Sequence, residues 1–212
     1  MRRTQRRLRW LERVLLAVGL ALGGWSLYSA AETHYYRSMP VPEPSAASTA
    51  RTLPGEGPSN TTASPASVRG SAVEPGAWVA RLEAPTAGLT ATVIEGSSET
   101  QLAKAAGHIE GTAFPGEPTG NVGIAGHRDT IFRPVRKLRE GDPLRLTTQQ
   151  EVLEYRVTRT FIVSPDAVHV LDATAAPTLT MVTCYPFTFI GHAPQRYIVQ
   201  AELVSSRARQ GG

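Results

Sequence analysis

Residues 151–163 read EVLEYRVTRTFIV, a run in which apolar and polar side chains alternate and Val, Ile, Thr and Tyr are frequent. Period two with β-branched and aromatic residues marks a strand with one buried face. The same pattern recurs outward in both directions: AWVARLEA from Ala77, GLTATVIEG from Gly88, GNVGIAGH from Gly120, PLRLTT from Pro143, TLTMVTC from Thr178 and QRYIVQAELV from Gln195. Gly and Pro turns separate these short runs, as at Gly141-Asp142-Pro143. The pattern predicts an all-β domain, a sandwich or a barrel, over residues 77–204. Two short helices are expected, at Ser98–Ala106 and around Ile131–Leu138, and residues 205–212 are read as a flexible tail. No internal repeat is visible.

The rest of the chain is organised around export. Net charge is +4, but six arginines and one acid within residues 1–13 give a basic tail of +5, which leaves the remainder at −1. A body so close to neutral speaks against a nucleic-acid partner. Residues 14–31 follow, VLLAVGLALGGWSLYSAA, with no charged side chain. Eighteen helical residues span roughly 27 Å, enough for most of a bilayer core. Trp10, Trp25 and Tyr28 lie near its ends, where amphipathic rings favour the interface. The expectation is a single-pass anchor with the arginines inside and the domain extracytoplasmic, in a periplasm or at a cell surface. Ser29-Ala30-Ala31 also suits a cleavable signal segment. A buried core helix is the third reading, disfavoured because no core lies near it in the sequence. Residues 32–76 are read as a linker, rich from Ser38 in Pro, Ser, Ala, Thr and Gly and too poor in large apolar residues to repay the entropy of ordering. Its last thirty-nine residues would span about 35 Å root-mean-square. Leu53-Pro54-Gly55-Glu56-Gly57 within it is explained by linker composition.

Chemistry points to the only cysteine, Cys184. Exported proteins usually pair their thiols, so an unpaired one is either inert filler or kept for reactivity. Alternation places Leu179 and Met181, Val122 and Ile124, and Tyr197, Val199, Ala201 and Leu203 on core faces. Cys184, His127 and Arg196 then fall on the opposite faces of their three strands, able to line one outer groove. An imidazolium or guanidinium raises the thiolate fraction of a neighbouring cysteine. Histidine shuttles protons near neutrality, and arginine offers a fixed fork of donors to an oxyanion. Thr183 and the backbone beside the nucleophile are candidates for further support. Taken singly, each residue has a bland reading: small core filler, turn histidine, solvated arginine. Their order and surroundings decide otherwise.

Gly-Asn-Val-Gly-Ile-Ala-Gly-His127-Arg-Asp-Thr, Thr-Leu-Thr-Met-Val-Thr-Cys184-Tyr-Pro-Phe and Gly-His-Ala-Pro-Gln-Arg196-Tyr-Ile-Val resemble the three signatures of sortases, most nearly the class D type. The likeness runs from about Ala80 to Leu203, through Ala84-Pro-Thr-Ala-Gly-Leu and Gly107-His-Ile-Glu-Gly-Thr-Ala-Phe-Pro-Gly. It implies a closed eight-stranded β-barrel with a groove in its wall. It also implies transpeptidation at a Leu-Pro-x-Thr-Gly-like signal through a thioacyl enzyme. Cys184 would be the nucleophile, His127 the proton shuttle and Arg196 the oxyanion or substrate clamp. His108 is expected in a turn that shapes the groove edge, and Asp129 in a turn or ion pair. The implied partners are proteins with a C-terminal sorting signal and an amine acceptor, a cell-wall peptide or a protein lysine.

No cofactor is expected: His169 and His192 lack metal-ligand spacing, and no phosphate loop or Gly-x-Ser-x-Gly run occurs. Papain-like enzymes place cysteine before histidine, and L,D-transpeptidases carry a Ser-His-Gly-Cys-like run, neither of which is present here. The reading from a different class is a catalytically silent, membrane-tethered β-barrel that binds peptide.

Overall fold

The computed structural model describes residues 2–43, 73–188 and 191–209. Most of the expected linker, Leu53–Gly57 included, and the last three residues of the tail lie outside them. Contacts divide the chain into two compact units, Met1–Met39 and Pro40–Gly212. The first is a helix, α1, Arg2–Ser38. Leu15, Leu16, Leu20, Leu22, Trp25 and Leu27 on it are all exposed. Among the described residues, no helix is long and apolar enough to cross a membrane.

The second unit is a closed barrel. Its strands are β1 Trp78–Ala84, β2 Leu89–Glu95, β3 Ala106–His108, β4 Asn121–Ala125, β5 Pro143–Thr147, β6 Glu151–Val163, β7 Thr178–Tyr185 and β8 Gln195–Ala208. They close in the order β1-β2-β3-β4-β7-β8-β6-β5. The β2–β3 and β4–β7 pairs are parallel; the others are antiparallel. Closure leaves no open sheet edge, which in a flat all-β domain would invite aggregation.

Alternation sorts the side chains as the sequence suggests. Val122, Ile124, Leu179, Met181, Val199 and Ala201 are buried in one core with Leu82, Leu144, Leu146, Leu153 and Tyr155, and Tyr197 and Leu203 pack against it. Each such leucine or methionine contributes about 2–5 kcal/mol, judged by truncation to alanine.

Four features differ from expectation. The helix expected at Ser98–Ala106 is only α2, Glu99–Leu102, because Ala106 already belongs to β3. The segment near Ile131–Leu138 is a 3-10 turn, Arg133–Lys137, entered through Pro134. β3 has three residues, too few for a period to show. It lies so close to the end of β2 that a Cβ on Gly107 would stand 2.3 Å from the Gly96 carbonyl oxygen. Finally, β8 does not stop at Val204 but continues to Ala208, because the long β6 offers it a partner as far as Glu151. Residues 205–208 are therefore strand rather than tail.

Candidate active site

Three neighbouring strands of the barrel wall carry the candidate residues. In the antiparallel β7–β8 ladder Cys184 stands directly opposite Arg196. Directly paired residues share a face, with Cβ atoms about 4.5–5.5 Å apart. Thr183 and Tyr197, the next pair, point the other way. In the parallel β4–β7 ladder Ala125 is level with Val182, and the Gly126 amide donates to the Val182 carbonyl at 3.2 Å. Continuing this register brings His127, two residues past Ala125, beside Cys184. The ladder therefore brings imidazole, thiol and guanidinium to one side of the wall.

Local packing fixes the turn that holds His127. Gly126 lies against the buried Phe132 ring, where a Cβ would come within 2.6 Å, so only glycine fits. The Phe132 amide donates to the His127 carbonyl at 3.0 Å. The Thr183 hydroxyl donates to the Gly126 carbonyl at 2.7 Å, and Thr183 is 3% exposed. Thr183 is thus a staple between the cysteine strand and the histidine turn, and its only proton donor is already engaged. The expectation that it supports an oxyanion directly is corrected accordingly.

His108 also departs from its expected place. It is the last residue of β3, fully buried, with Nδ1 at 2.7 Å from Glu95 Oε2 and Nε2 at 3.0 Å from the Ala113 carbonyl. Phe114 packs on its ring at 4.4 Å between centroids. It braces the β3–β4 loop rather than shaping a groove edge, because both ring nitrogens are spent on interior partners. Asp129 pairs with Arg128 at 3.5 Å, in keeping with a salt-bridge role. His169 and His192 are exposed. Among the described residues no group of three or more His, Cys, Asp or Glu side chains could hold a metal ion.

Cys184 is free and half-buried. No hydrogen bond joins its sulfur to His127 or Arg196 among the described residues. The Arg196 guanidinium donates instead to the carbonyls of Ala193 at 3.2 Å and Gln195 at 3.0 Å. The His127 imidazole, 34% exposed, places Nε2 at 3.4 Å from Glu99 Oε1.

Two neighbours escaped the sequence reading. Arg128 is 6% exposed and donates to the carbonyls of Pro186 at 3.0 Å and Gly191 at 3.1 Å, tying the β7–β8 connection to the histidine turn. An arginine beside an aspartate reads as a surface pair, so nothing in the sequence signalled burial. Glu99 opens α2 and resembles an ordinary first-turn acid. The segment leading to α2 is clamped by Glu110, whose carboxylate accepts from the Ser97 hydroxyl at 2.6 Å and from its amide at 3.2 Å. The Ser97 hydroxyl bond is the main reason the Glu110 carboxyl titrates below the ordinary carboxylate range.

A cleft of about 520 Å³ opens farther along the same outer wall, lined by Asn121, Thr178, Gln200 and Glu202 among others. None of the three candidate residues lines it.

A closed barrel that carries a free thiol on the strand between a histidine turn and an arginine strand holds residue types suited to acyl transfer through cysteine. Comparison with known proteins narrows that reading. The Sortase domain family model matches residues 82–204. Sortase D of Bacillus subtilis is 30% identical over 90% of this chain and 96% of its own length. The structure of a Clostridium perfringens Sortase D5 transpeptidase superposes with a TM-score of 0.57 at 33% identity, covering 63% of this chain and 82% of the other. Sortase E1 from Streptomyces coelicolor, solved with a tripeptide in the active site, gives a TM-score of 0.58 at 32% identity, covering 65% and 94% respectively. The chain belongs to the sortase family, and it is a cysteine transpeptidase.

Proposed function

We propose that Cys184 is the nucleophile, His127 the proton shuttle and Arg196 the oxyanion or substrate clamp in cleavage of a Leu-Pro-x-Thr-Gly-like sorting signal. The observation that supports this most is the β7–β8 rung, which sets Cys184 opposite Arg196 with the His127 turn alongside. The Cys184 thiolate attacks the carbonyl of the signal's threonine, and a C–S bond forms as the C–N bond breaks. His127, as imidazolium, gives its proton to the departing amine. An incoming amine then returns a proton to His127 and attacks the thioester, releasing the thiolate. Arg196 must leave the Ala193 and Gln195 carbonyls to meet the developing oxyanion, a movement of one side chain.

The substrates in this reading are proteins with a C-terminal sorting signal, and the acceptor is a cell-wall peptide amine or a protein lysine. In this reading the domain works outside the cytoplasm, delivered there by residues 14–31 as an anchor or a cleaved signal. Support for delivery is the uncharged run behind six arginines and the exposure of leucines on α1.

The test presents a library of tailed pentapeptides, with and without an added amine, to the full chain and reads the cleaved bonds by mass. Cys184→Ala should lower turnover at least about a thousandfold while circular dichroism stays unchanged. Undiminished cleavage by that variant ends the assignment. Binding of peptide without turnover by the unaltered chain would favour a silent binding barrel.

A further inference from the structure

The catalytic reading leaves the two nitrogens of His127 unassigned. The backbone of the turn is fixed by the Thr183 staple and by the Phe132 amide, so the free variable is rotation of the ring. Among the described residues one side chain addresses that ring through a polar contact: Glu99, 3.4 Å from Nε2. Among the described residues Glu99 makes no other ion pair, and it is 86% exposed, so burial does not hold it in place. The element that carries it is held instead. Ser97 is clamped by Glu110, and the amides of Gln101 and Leu102 donate to the Ser98 carbonyl at 3.0 and 2.9 Å. The Ser98 hydroxyl also bonds the Gln101 side chain. Gly107 lets β3 press against Gly96, just before this segment.

The other charged or titratable groups about the ring are accounted for. Arg128 is spent on Pro186, Gly191 and Asp129, and Arg196 on Ala193 and Gln195. Cys184 stands on the neighbouring strand as the reaction partner.

We propose that Glu99 is the positioning residue of the site: it accepts the Nε2 proton of His127 and so assigns Nδ1 as the nitrogen that exchanges a proton with the two amines. The arrangement follows the general rule that a base is oriented by a third group on its far nitrogen. It rests on the reading of His127 as the proton shuttle. Through both half-reactions the proton stays on Nε2, directed at the Glu99 carboxylate. The proton that leaves Nδ1 for the departing amine is replaced by one from the incoming amine, and no proton is gained or lost over the cycle.

The experiment uses Glu99→Ala, Glu99→Gln and Glu99→Asp in the full chain. Because the side chain is exposed, thermal denaturation should be little changed, and that is checked first. On a cleaved pentapeptide with an amine acceptor, Glu99→Ala should lower kcat about twofold to fivefold, the range of an exposed ion pair, with KM nearly constant. Glu99→Asp should recover part of the rate. Glu99→Gln keeps an acceptor, so it should leave the tautomer undisturbed.

Imidazole nitrogen-15 spectra give a readout that needs no turnover. In the unaltered chain the neutral His127 ring should carry its proton on Nε2, and in Glu99→Ala the two tautomers should mix. A Glu99→Ala protein with unaltered kcat and unaltered tautomer overturns the proposal. Absence of any turnover in the unaltered chain, with the tautomer shift still present, would instead sink the catalytic reading and leave the Glu99 contact standing.

Discussion

The β7–β8 wall and the α2 corner hold their parts of the site by different physics. Cys184 and Arg196 sit in a ladder of eight registered pairs, so the backbone carries both and neither needs a particular neighbour. Glu99 rides on a four-residue helix, and what anchors that corner is a set of side-chain bonds centred on Ser97 and Glu110. His127 stands between the two regimes, at the end of a strand but in a turn held by one buried hydroxyl. The wall is built to place groups, whereas the corner is built to bias them. Losses on the wall should therefore be large, and those at the corner small.

The sharpest way to break that contrast is at Arg196. Arg196→Ala should cost about a hundredfold to a thousandfold in kcat, the usual loss for an oxyanion donor, with unfolding midpoints near those of the unaltered chain. A loss no larger than at Glu99 would erase the distinction.

Next comes β6, the strand paired with β8, at alkaline pH. Burial, helped by the Glu151 charge, pushes the Tyr155 phenol up to about 12. Its unfolded counterpart ionises near 10, so between these values the unfolded state has shed a proton that the folded state keeps. Stability from this residue is complete below pH 10 and falls as pH rises toward 12, by on the order of 2–3 kcal/mol. Denaturant titrations at pH 9 and 11.5 should show the fall, and Tyr155→Phe should abolish most of it.

Thr183→Val removes the staple while keeping the shape and leaves the buried Gly126 carbonyl without its partner. A loss of about 1–3 kcal/mol is expected, with a rate loss from displacement of His127 rather than of Cys184. Alkylation of Cys184 and its pH dependence should separate the two.

The smallest effect lies at the corner. The Glu110 carboxyl is held below its ordinary range by Ser97, so its contribution is present above the usual carboxylate value and disappears as pH falls through the lowered one. Amide exchange at residues 97–102 should quicken on acidification, while β7 and β8 remain protected. Ser97→Ala should give that faster exchange already at neutral pH.

How much of this could be read from residues alone varies with length and contact order. The long runs of β6, β7 and β8 show several periods each, and the core faces read for β7 and β8 are the ones the structure buries or packs against the core. β3 shows none: Ala106-Gly107-His108 has meaning only against Gly96 and Glu95 of β2. For the same reason His108 looked like a turn residue, when its ring is in fact buried between Glu95 and Ala113. Arg128 was invisible because its acceptors are main-chain carbonyls about sixty residues away. Thr183 was singled out for being next to Cys184, but its role follows from facing the other way.

Hydrophobic alternation, the lone thiol and the order of histidine, cysteine and arginine are one-dimensional properties, and they were enough to indicate an all-β domain, its core face and the residues worth watching, while the closed barrel was implied by the resemblance to sortases. Register is not one-dimensional. That Cys184 meets Arg196, that His127 stands level with them, and that Glu99 reaches the imidazole each depend on how strands far apart in the chain slide against one another. That sliding is settled by the packing of the whole core, because a slip of one residue would turn every buried side chain outward.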